Sequence, residues 1–172
     1  MKIDDDDFAL FGLPRRYALE RDELDSRWRA LQAKVHPDRF SADGAASQRI
    51  AMQWAVRVNE AHQRLKDPIA RAAYLCELGG APINAERNTA MPASFLAQQM
   101  HWREALEEAE DAPSVESLHD TVVAREAELL DEVAQALDER HDFAAAAQRV
   151  RSLMFLRKFR ADVERRLDAF DA

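Results

Sequence analysis

The chain has 172 residues, of which 47% are apolar and 33% charged, and its 24 basic against 32 acidic side chains leave a formal net charge of −8. A chain of this length and composition forms one or two small globular domains, and no apolar run in it approaches the roughly 18 residues of a membrane span. The single cysteine, Cys76, excludes a disulfide framework and a cysteine-based metal site.

The charge is unevenly distributed along the chain. Residues 1–80 carry 13 basic and 13 acidic side chains, whereas residues 81–172 carry 11 and 19, a difference of eight. Phosphate binding needs the opposite sign, so nucleic acid is not expected as a partner of the second half, and a basic or metal-laden protein surface is favoured. The start, with Asp4 to Asp7 read as a solvated tail, lacks the features of a targeting peptide, and we expect a cytoplasmic protein of bacterial type.

Only four glycines and few runs of β-branched residues predict an all-α fold. A short first helix is expected from Phe8 to Gly12. The second is predicted from an apolar stripe at spacings of three and four, with Asp22 as its cap. This stripe consists of Leu24, Trp28, Leu31 and Val35.

The third helix is expected from about Ala45 to Leu65, and the fourth from Pro68 to Leu78. The apolar stripe of the third helix consists of Ile50, Trp54, Val58, Ala61 and Leu65. Trp54 is expected to be its largest core side chain. The second and third helices, joined by a short loop, should pack as an antiparallel hairpin.

The loop of this hairpin contains His36, Pro37 and Asp38. Pro37 disfavours the helical conformation at His36, so the second helix should end at about Val35 and leave the loop exposed. Taken alone, the tripeptide is an ordinary helix-stop turn. Its surroundings favour a binding tip, because a basic helix face leads into it. That face carries Arg27, Arg29 and Lys34.

This order of parts resembles the J-domain of DnaJ-type co-chaperones. Further segments resemble the HscB family, the J-proteins of iron–sulfur cluster assembly; they are Phe8 to Pro14, Tyr17, Leu19, Asp67 to Pro68 and Arg71 to Leu75. The resemblance covers nearly all of the chain. It implies an L-shaped protein with a J-domain over residues 1–80, a linker over 81–91 and a C-terminal three-helix bundle over 92–172.

The periodicity of the second half agrees with a linker followed by a bundle. Helical spacing is lost from Ala81 to Met91, where Pro and Asn accumulate. Three long helical patterns follow, over about 92–110, about 114–140 and, with Asp142 as cap, up to about Phe170. Their short connections imply antiparallel neighbours. The inward stripe of the middle helix consists of Leu118, Val122, Leu129, Val133 and Leu137.

Two helices of the predicted bundle carry apolar residues outside their core stripes. In the first, Phe95, Trp102, Leu106 and Ala109 set the core face. Leu96 and Met100 project away from it, on the side that carries Glu104, Glu107 and Glu108. An apolar pair bordered by carboxylates is typical of a docking surface.

In the last helix, Phe155 lies about 100° off the centre of the apolar stripe. That stripe consists of Leu153, Leu156, Phe159, Val163, Leu167 and Phe170. We therefore expect Phe155 to be exposed unless a partner covers it. The alternative is that Phe155 and Met100 pack against the J-domain or against a second copy of this chain.

The HscB resemblance implies two partners and the residues that meet them. A DnaK-type (HscA-like) chaperone would be contacted by His36, Pro37, Asp38, Arg27, Arg29 and Lys34. The iron–sulfur scaffold protein (IscU-like) would be bound by Leu96, Ala97, Met100, His101, Glu104, Glu108 and Phe155. Ala97 is smaller than the large apolar residue usual in the family, and His101 stands where an acid is common.

No enzymatic chemistry is predicted from the sequence. The five histidines lack metal-ligand spacing and read as surface or boundary residues, and no glycine-rich loop is present to hold phosphate. We expect neither a cofactor nor a structural metal. Two other functions fit the same residues: a J-protein for a different client, and a helical adaptor in which His36 to Asp38 is only a turn.

Overall fold

The computed structural model describes residues 1–84 and 91–172, so part of the predicted linker lies outside the described residues. The described residues form helices and no strand, which confirms the all-α prediction. Seven α-helices are present in them: α1 (Asp7–Leu10), α2 (Arg21–Val35), α3 (Ala45–Lys66), α4 (Pro68–Leu78), α5 (Ala93–Glu108), α6 (Ala112–Ala134) and α7 (Phe143–Asp171). None of these helices is both long and apolar enough to cross a membrane.

The chain divides into two compact units, Met1–Leu75 and Cys76–Ala172. In the first unit, α2 and α3 pack along their length and α1 lies on α3. Two side-chain pairs fix the direction of the hairpin, because Asp25 meets His62 while Trp28 meets Asn59. The later residue of α2 therefore contacts the earlier residue of α3, which shows that the two helices are antiparallel. Leu24, Val58 and Leu65 are completely buried between them.

The second unit is the three-helix bundle that was predicted, with α6 and α7 as its most extensive contact. Arg149 pairs with Glu132 and Arg160 with Glu126, so α6 and α7 are antiparallel. Trp102 stacks on Phe159 at a centroid distance of 6.2 Å. Phe95, earlier in α5, contacts Phe155, earlier in α7. The two aromatic contacts therefore show that α5 and α7 are parallel. One π-helical turn, Gln135–Glu139, ends the α6 segment.

Of the two predicted helix caps, the structure shows one. Asp142 accepts a hydrogen bond from the Ala145 N–H and begins α7. Asp22 does not cap α2, because the helix begins one residue earlier, at Arg21, with Glu20 in the cap position and no side-chain cap bond. Asp22 then lies in the first turn, where a carboxylate still interacts favourably with the helix dipole.

Several predicted core residues lie at the surface, and one surface prediction was wrong in the opposite sense. Ile50 is 57% exposed and Phe170 is 36% exposed, while Trp54 is only half-buried. Asp7, read as part of a solvated tail, is completely buried. Its carboxylate lies 2.8 Å from Arg57 Nη1 and 3.3 Å from Arg64 Nη1, which provides the paired cations that a buried carboxylate requires.

Candidate docking surfaces

The His36 to Asp38 loop is presented by the end of α2. The helix ends at Val35, His36 adopts an extended conformation with φ −60° and ψ 128°, and Pro37 begins a single 3₁₀ turn, Pro37–Phe40. Because the ring of Pro37 fixes its φ, the two polar residues on either side of it are held in one geometry. The structure therefore places all three predicted residues together at the tip of the α2–α3 hairpin.

The side chains of this tip are accessible to a partner. His36 Nδ1 accepts a hydrogen bond from the Asp38 N–H at 3.3 Å, which leaves Nε2 as the nitrogen that carries the proton in the neutral ring. Asp38 has 91% of its side chain exposed, with its Oδ2 3.6 Å from His36 Nδ1. A carboxylate this exposed can accept bonds from an Arg or Lys of another protein.

The three predicted basic residues of α2 differ in how they are used. Arg29 and Lys34 are exposed, and within the described part of the chain neither forms an ion pair. Arg27 is engaged by its own domain: it pairs with Glu23 at 2.7 Å and donates from Nη1 to the carbonyls of Phe11 and Gly12. Arg27 therefore ties α2 to the segment after α1.

Gly12 is required by this contact. Its φ is +64°, and an added Cβ would lie 3.1 Å from Arg27 Nη1. A side chain at this position would therefore be strained in its backbone and would press on the guanidinium.

Two further interactions within the α2–α3 hairpin were not predicted from the sequence. Arg39 Nη1 donates to the Ala33 carbonyl at 3.1 Å and ties the 3₁₀ turn to the last turn of α2. His62 is buried, whereas the five histidines were predicted to be surface or boundary residues. It stacks on Trp28 with ring centres 4.4 Å apart. The signal was available: position 62 lies beside Ala61 and Leu65 on the apolar stripe.

Asp25 completes this cluster between α2 and α3. Its Oδ1 lies 2.7 Å from His62 Nε2, and the hydrogen bond to His62 is the main cause that holds the pKa of Asp25 below its ordinary value. Arg21 contributes to the same lowering of the pKa from the other side, at 3.1 Å. The cluster therefore crosses between the two helices that present the loop.

The second predicted surface lies on the outer face of α5. Six of its residues are exposed, in two rows at four-residue spacing; they are Leu96, Met100, Glu104 and Glu108 in one row, and Ala97 and His101 in the next. Met100 is 65% exposed and Leu96 is 45% exposed. Because residues four apart lie one above the other on a helix, the apolar pair is continuous with the carboxylates that follow it.

Phe155, the seventh predicted residue, belongs to α7 and lies beside this face. Its ring meets Phe95 edge-on, with centroids 6.4 Å apart and planes at 83°. The Arg103 guanidinium lies 5.6 Å from its centroid. Phe95 precedes Leu96 in α5 and Arg103 follows Met100, so Phe155 lies alongside the part of α5 that carries these two residues. The expectation of an exposed Phe155 was wrong, since its own bundle half-buries it.

Among residues 1–84 and 91–172, no three His, Cys, Asp or Glu side chains are grouped as metal ligands. Cys76 is buried, and this burial raises the pKa of its thiol to about 11, which keeps it protonated near neutral pH.

The chain is similar to known proteins over nearly its whole length. The family model of the "HSCB C-terminal oligomerisation domain" matches residues 91–164. A "Co-chaperone protein HscB homolog" of Bordetella petrii is 48% identical over 155 residues, which cover 90% of this chain and 91% of that protein. Another, of Aromatoleum aromaticum, is 44% identical over 176 residues and 99% of each chain.

Solved structures agree with this relationship. The chaperone HscB from Vibrio cholerae superposes with a TM-score of 0.84 at 34% identity, covering 96% of this chain and 99% of that one. Human co-chaperone protein HscB gives a TM-score of 0.89 at 27% identity, with 95% and 83% covered. With curated relatives above 40% identity across almost the full length of both proteins, the chain belongs to the HscB family of co-chaperones.

Proposed function

We propose that this protein is a co-chaperone of iron–sulfur cluster assembly that stimulates the ATPase of a DnaK-type (HscA-like) chaperone and delivers an IscU-like scaffold protein to it. The observation that carries the proposal is the identity of 44% over 99% of a protein named as an HscB co-chaperone homologue. Members of that family are co-chaperones and not enzymes. The chemistry therefore lies in the ATPase of the partner, which also favours the ATP-containing cytoplasm as its location.

The chaperone-binding part of the proposal is supported by the geometry of the α2–α3 hairpin. Arg29 and Lys34 offer uncompensated positive charge that can steer an acidic surface of the chaperone onto α2. His36 and Asp38 then reach the chaperone first, because they form the exposed tip of the hairpin. We assign the decisive contact with the chaperone to Asp38. Its side chain is 91% exposed, so the carboxylate can accept hydrogen bonds from an Arg or Lys of the chaperone.

The scaffold-binding part is supported by the composition of the α5 face. Leu96 and Met100 supply apolar area, Phe155 lies beside them, and the carboxylates of Glu104 and Glu108 extend the same face. A partner surface with an apolar centre and basic neighbours is complementary to this arrangement. Charges at the edge of such a contact mainly set the rate and specificity of association, and the apolar centre supplies most of the affinity.

Carrying both sites on one chain gives the protein its function. A scaffold held by α5 is brought to the chaperone together with the loop, so its effective concentration rises without a further contact at the ATPase. The mechanism needs the two sites to be separable. A substitution that abolishes binding at one site should leave binding at the other site unchanged.

Calorimetry with the purified scaffold protein tests the client assignment. Met100→Asp should weaken binding at least about tenfold, because it places a charge in the apolar centre. Met52→Asp is the matched control, since Met52 is 57% exposed on α3 and lies outside the proposed surface. Equal affinity of all three proteins would reject the α5 surface. A dimer that only Met100→Asp dissociates would instead assign this face to a second copy of the chain.

A further inference from the structure

Exposed apolar residues are concentrated on one part of the first unit. Of the eight large apolar side chains that are exposed in the described part of the chain, three lie on α3 and two in the segment before α1. They are Ile50, Met52, Val56, Met1 and Ile3. The proposed functions of the loop and of α5 use none of them. These five residues line two separate grooves: Met1 and Ile50 belong to one, and Ile3, Met52 and Val56 to the other.

Arg57 of α3 holds the segment before α1 on that helix. Arg57 donates from Nε to the Ile3 carbonyl at 3.1 Å and from Nη2 to the Asp5 carbonyl at 2.7 Å. Its Nη1 pairs with buried Asp7 at 2.8 Å. One guanidinium therefore contacts Ile3 and Asp5 of the segment and Asp7 at the start of α1, which keeps the segment on the surface of α3.

The groove that contains Met1 and Ile50 lies next to the His36 to Asp38 loop. The groove has a volume of about 450 Å³, which falls within the range of sites that bury small ligands or groups of side chains. Its walls come from the end of α2, the 3₁₀ turn, the start of α3 and Met1. The lining residues are Met1, Val35, Phe40, Asp43, Ser47, Ile50, Ala51 and Trp54.

The lining is apolar apart from Asp43 and Ser47, and two of its residues directly flank the loop. Val35 immediately precedes His36, and Phe40 follows Asp38 by two residues. A protein that covers the loop therefore also reaches the mouth of the groove. Ile50, 57% exposed on one wall, offers apolar area that water covers in the free protein.

We propose that this groove docks an apolar segment of the same DnaK-type chaperone that contacts His36 to Asp38. The inference rests on the proposed function and adds a second kind of contact to it. The continuity of the groove with the loop selects the chaperone as its occupant.

The basic face of α2 and the apolar groove would bind the chaperone through different kinds of interaction. Arg29 and Lys34 on α2 act through charge, so salt weakens them. The groove acts through apolar burial, which salt does not screen. A chaperone surface that fits both has an acidic part facing α2 and an apolar part facing α3, on either side of the loop.

The test is the chaperone ATPase as a function of the concentration of this protein, without scaffold, for the wild type, Ile50→Ser and Val56→Ser. Val56 is the matched control, because it is aliphatic, lies on α3 and is 56% exposed, but does not line the groove. For Ile50→Ser we expect the half-saturating concentration to rise about five- to tenfold, with the same maximal rate. Val56→Ser should match the wild type. The ratio between Ile50→Ser and the wild type should persist at high salt.

Distinct outcomes separate the groove from the proposed function. If His36→Gln abolishes stimulation while Ile50→Ser equals the wild type, the groove proposal is wrong and the loop assignment stands. Equal losses for Ile50→Ser and Val56→Ser also overturn it, and so does a dimer that only Ile50→Ser dissociates. No stimulation by the wild-type protein overturns the proposed function and this inference together. Helix content by circular dichroism confirms that each variant is folded.

Discussion

Phe155 lies edge-on against Phe95, with ring centroids 6.4 Å apart, so one aromatic residue contributes both to the bundle core and to the proposed scaffold surface. The two contributions have different measurable consequences. Removing the ring takes away packing inside the protein and contact area outside it. Stability and binding must therefore be measured on the same variants.

Phe155→Ala is expected to lower the free energy of unfolding by about 2 kcal/mol, because the half-buried ring loses its contact with Phe95. The same variant should raise the dissociation constant for the scaffold about tenfold. Urea unfolding and calorimetry measure the two effects. Phe170→Ala is the control: this ring also lies on α7, with Arg166 5.1 Å from its centroid, but near the end of the helix. An unchanged dissociation constant for Phe155→Ala would remove it from the scaffold surface.

Asp38→Ala is expected to abolish ATPase stimulation and to leave both stability and scaffold binding unchanged. The side chain is 91% exposed, so its loss costs the fold almost nothing. Asp22→Ala, an exposed acid in the first turn of α2, should stimulate like the wild type. If a folded Asp38→Ala protein lost chaperone stimulation and scaffold binding to the same extent, the division into two sites would be wrong.

Asp25 makes the stability of the hairpin depend on pH. Hydrogen bonding to His62 holds the folded-state pKa of Asp25 below its ordinary value of 3.8. A lowered pKa stabilises the fold above the unfolded-state value, and this stabilisation is lost as the pH falls through the folded-state pKa. Asp25→Asn should therefore lower the melting temperature at neutral pH, and the difference from the wild type should shrink below pH 3.8.

The control for this pH dependence is Glu60→Gln, which changes an exposed acid in the middle of α3, away from both helix ends. Its melting temperature should follow the wild type at every pH. A difference between Asp25→Asn and the wild type that stays constant from neutral to acid pH would contradict the role of the carboxylate charge.

Asp7→Ala is expected to destabilise the protein by about 3 to 5 kcal/mol. It leaves the cations of Arg57 and Arg64 without the buried carboxylate that they pair with, and breaking such a pair is costly. Asp4→Ala, in the same acidic run but exposed, should unfold at the same urea concentration as the wild type. Equal midpoints for all three proteins would mean that the buried cluster contributes no stability.

The helices and the loop could be predicted from the sequence because they depend on local signals. Pro37 stops α2 at Val35 as expected, and Pro68 and the Gly79–Gly80 pair bound α4. The hairpin follows from two amphipathic stripes and a short connection. These features are set by residues near each other in the chain, so one sequence is sufficient to recognise them.

The errors arose where burial depends on distant segments. Ile50 fits an apolar spacing but lies at the start of α3, where the facing element is the short turn after α2 instead of α2 itself. Asp7 is acidic and N-terminal, and only the fold brings Arg57 and Arg64 to it. Neither contact leaves a periodic signal. The same limit applies to Phe155, whose cover comes from α5.

Residue assignments within the two surfaces show the same division. On α5, helical spacing predicted Leu96 and Met100 with their neighbouring carboxylates. The resemblance to the HscB family added Ala97 and His101, and the structure has all six residues of the two rows exposed. Phe155 lies beside these rows only because α5 and α7 pack in parallel, and the sequence alone does not show this packing. The resemblance to the HscB family supplied this residue, whereas the angular projection showed only that it lies off the core stripe.

Steady-state ATP hydrolysis by the DnaK-type chaperone, with and without the scaffold protein, tests the central claim most directly. Wild-type protein should stimulate hydrolysis, and the scaffold should raise the rate further. The folded His36→Gln variant should not stimulate ATP hydrolysis, either with or without the scaffold. It should bind the scaffold with unchanged affinity. A wild-type protein that leaves the rate unchanged under every combination would contradict the account and favour a helical adaptor in which the loop is only a turn.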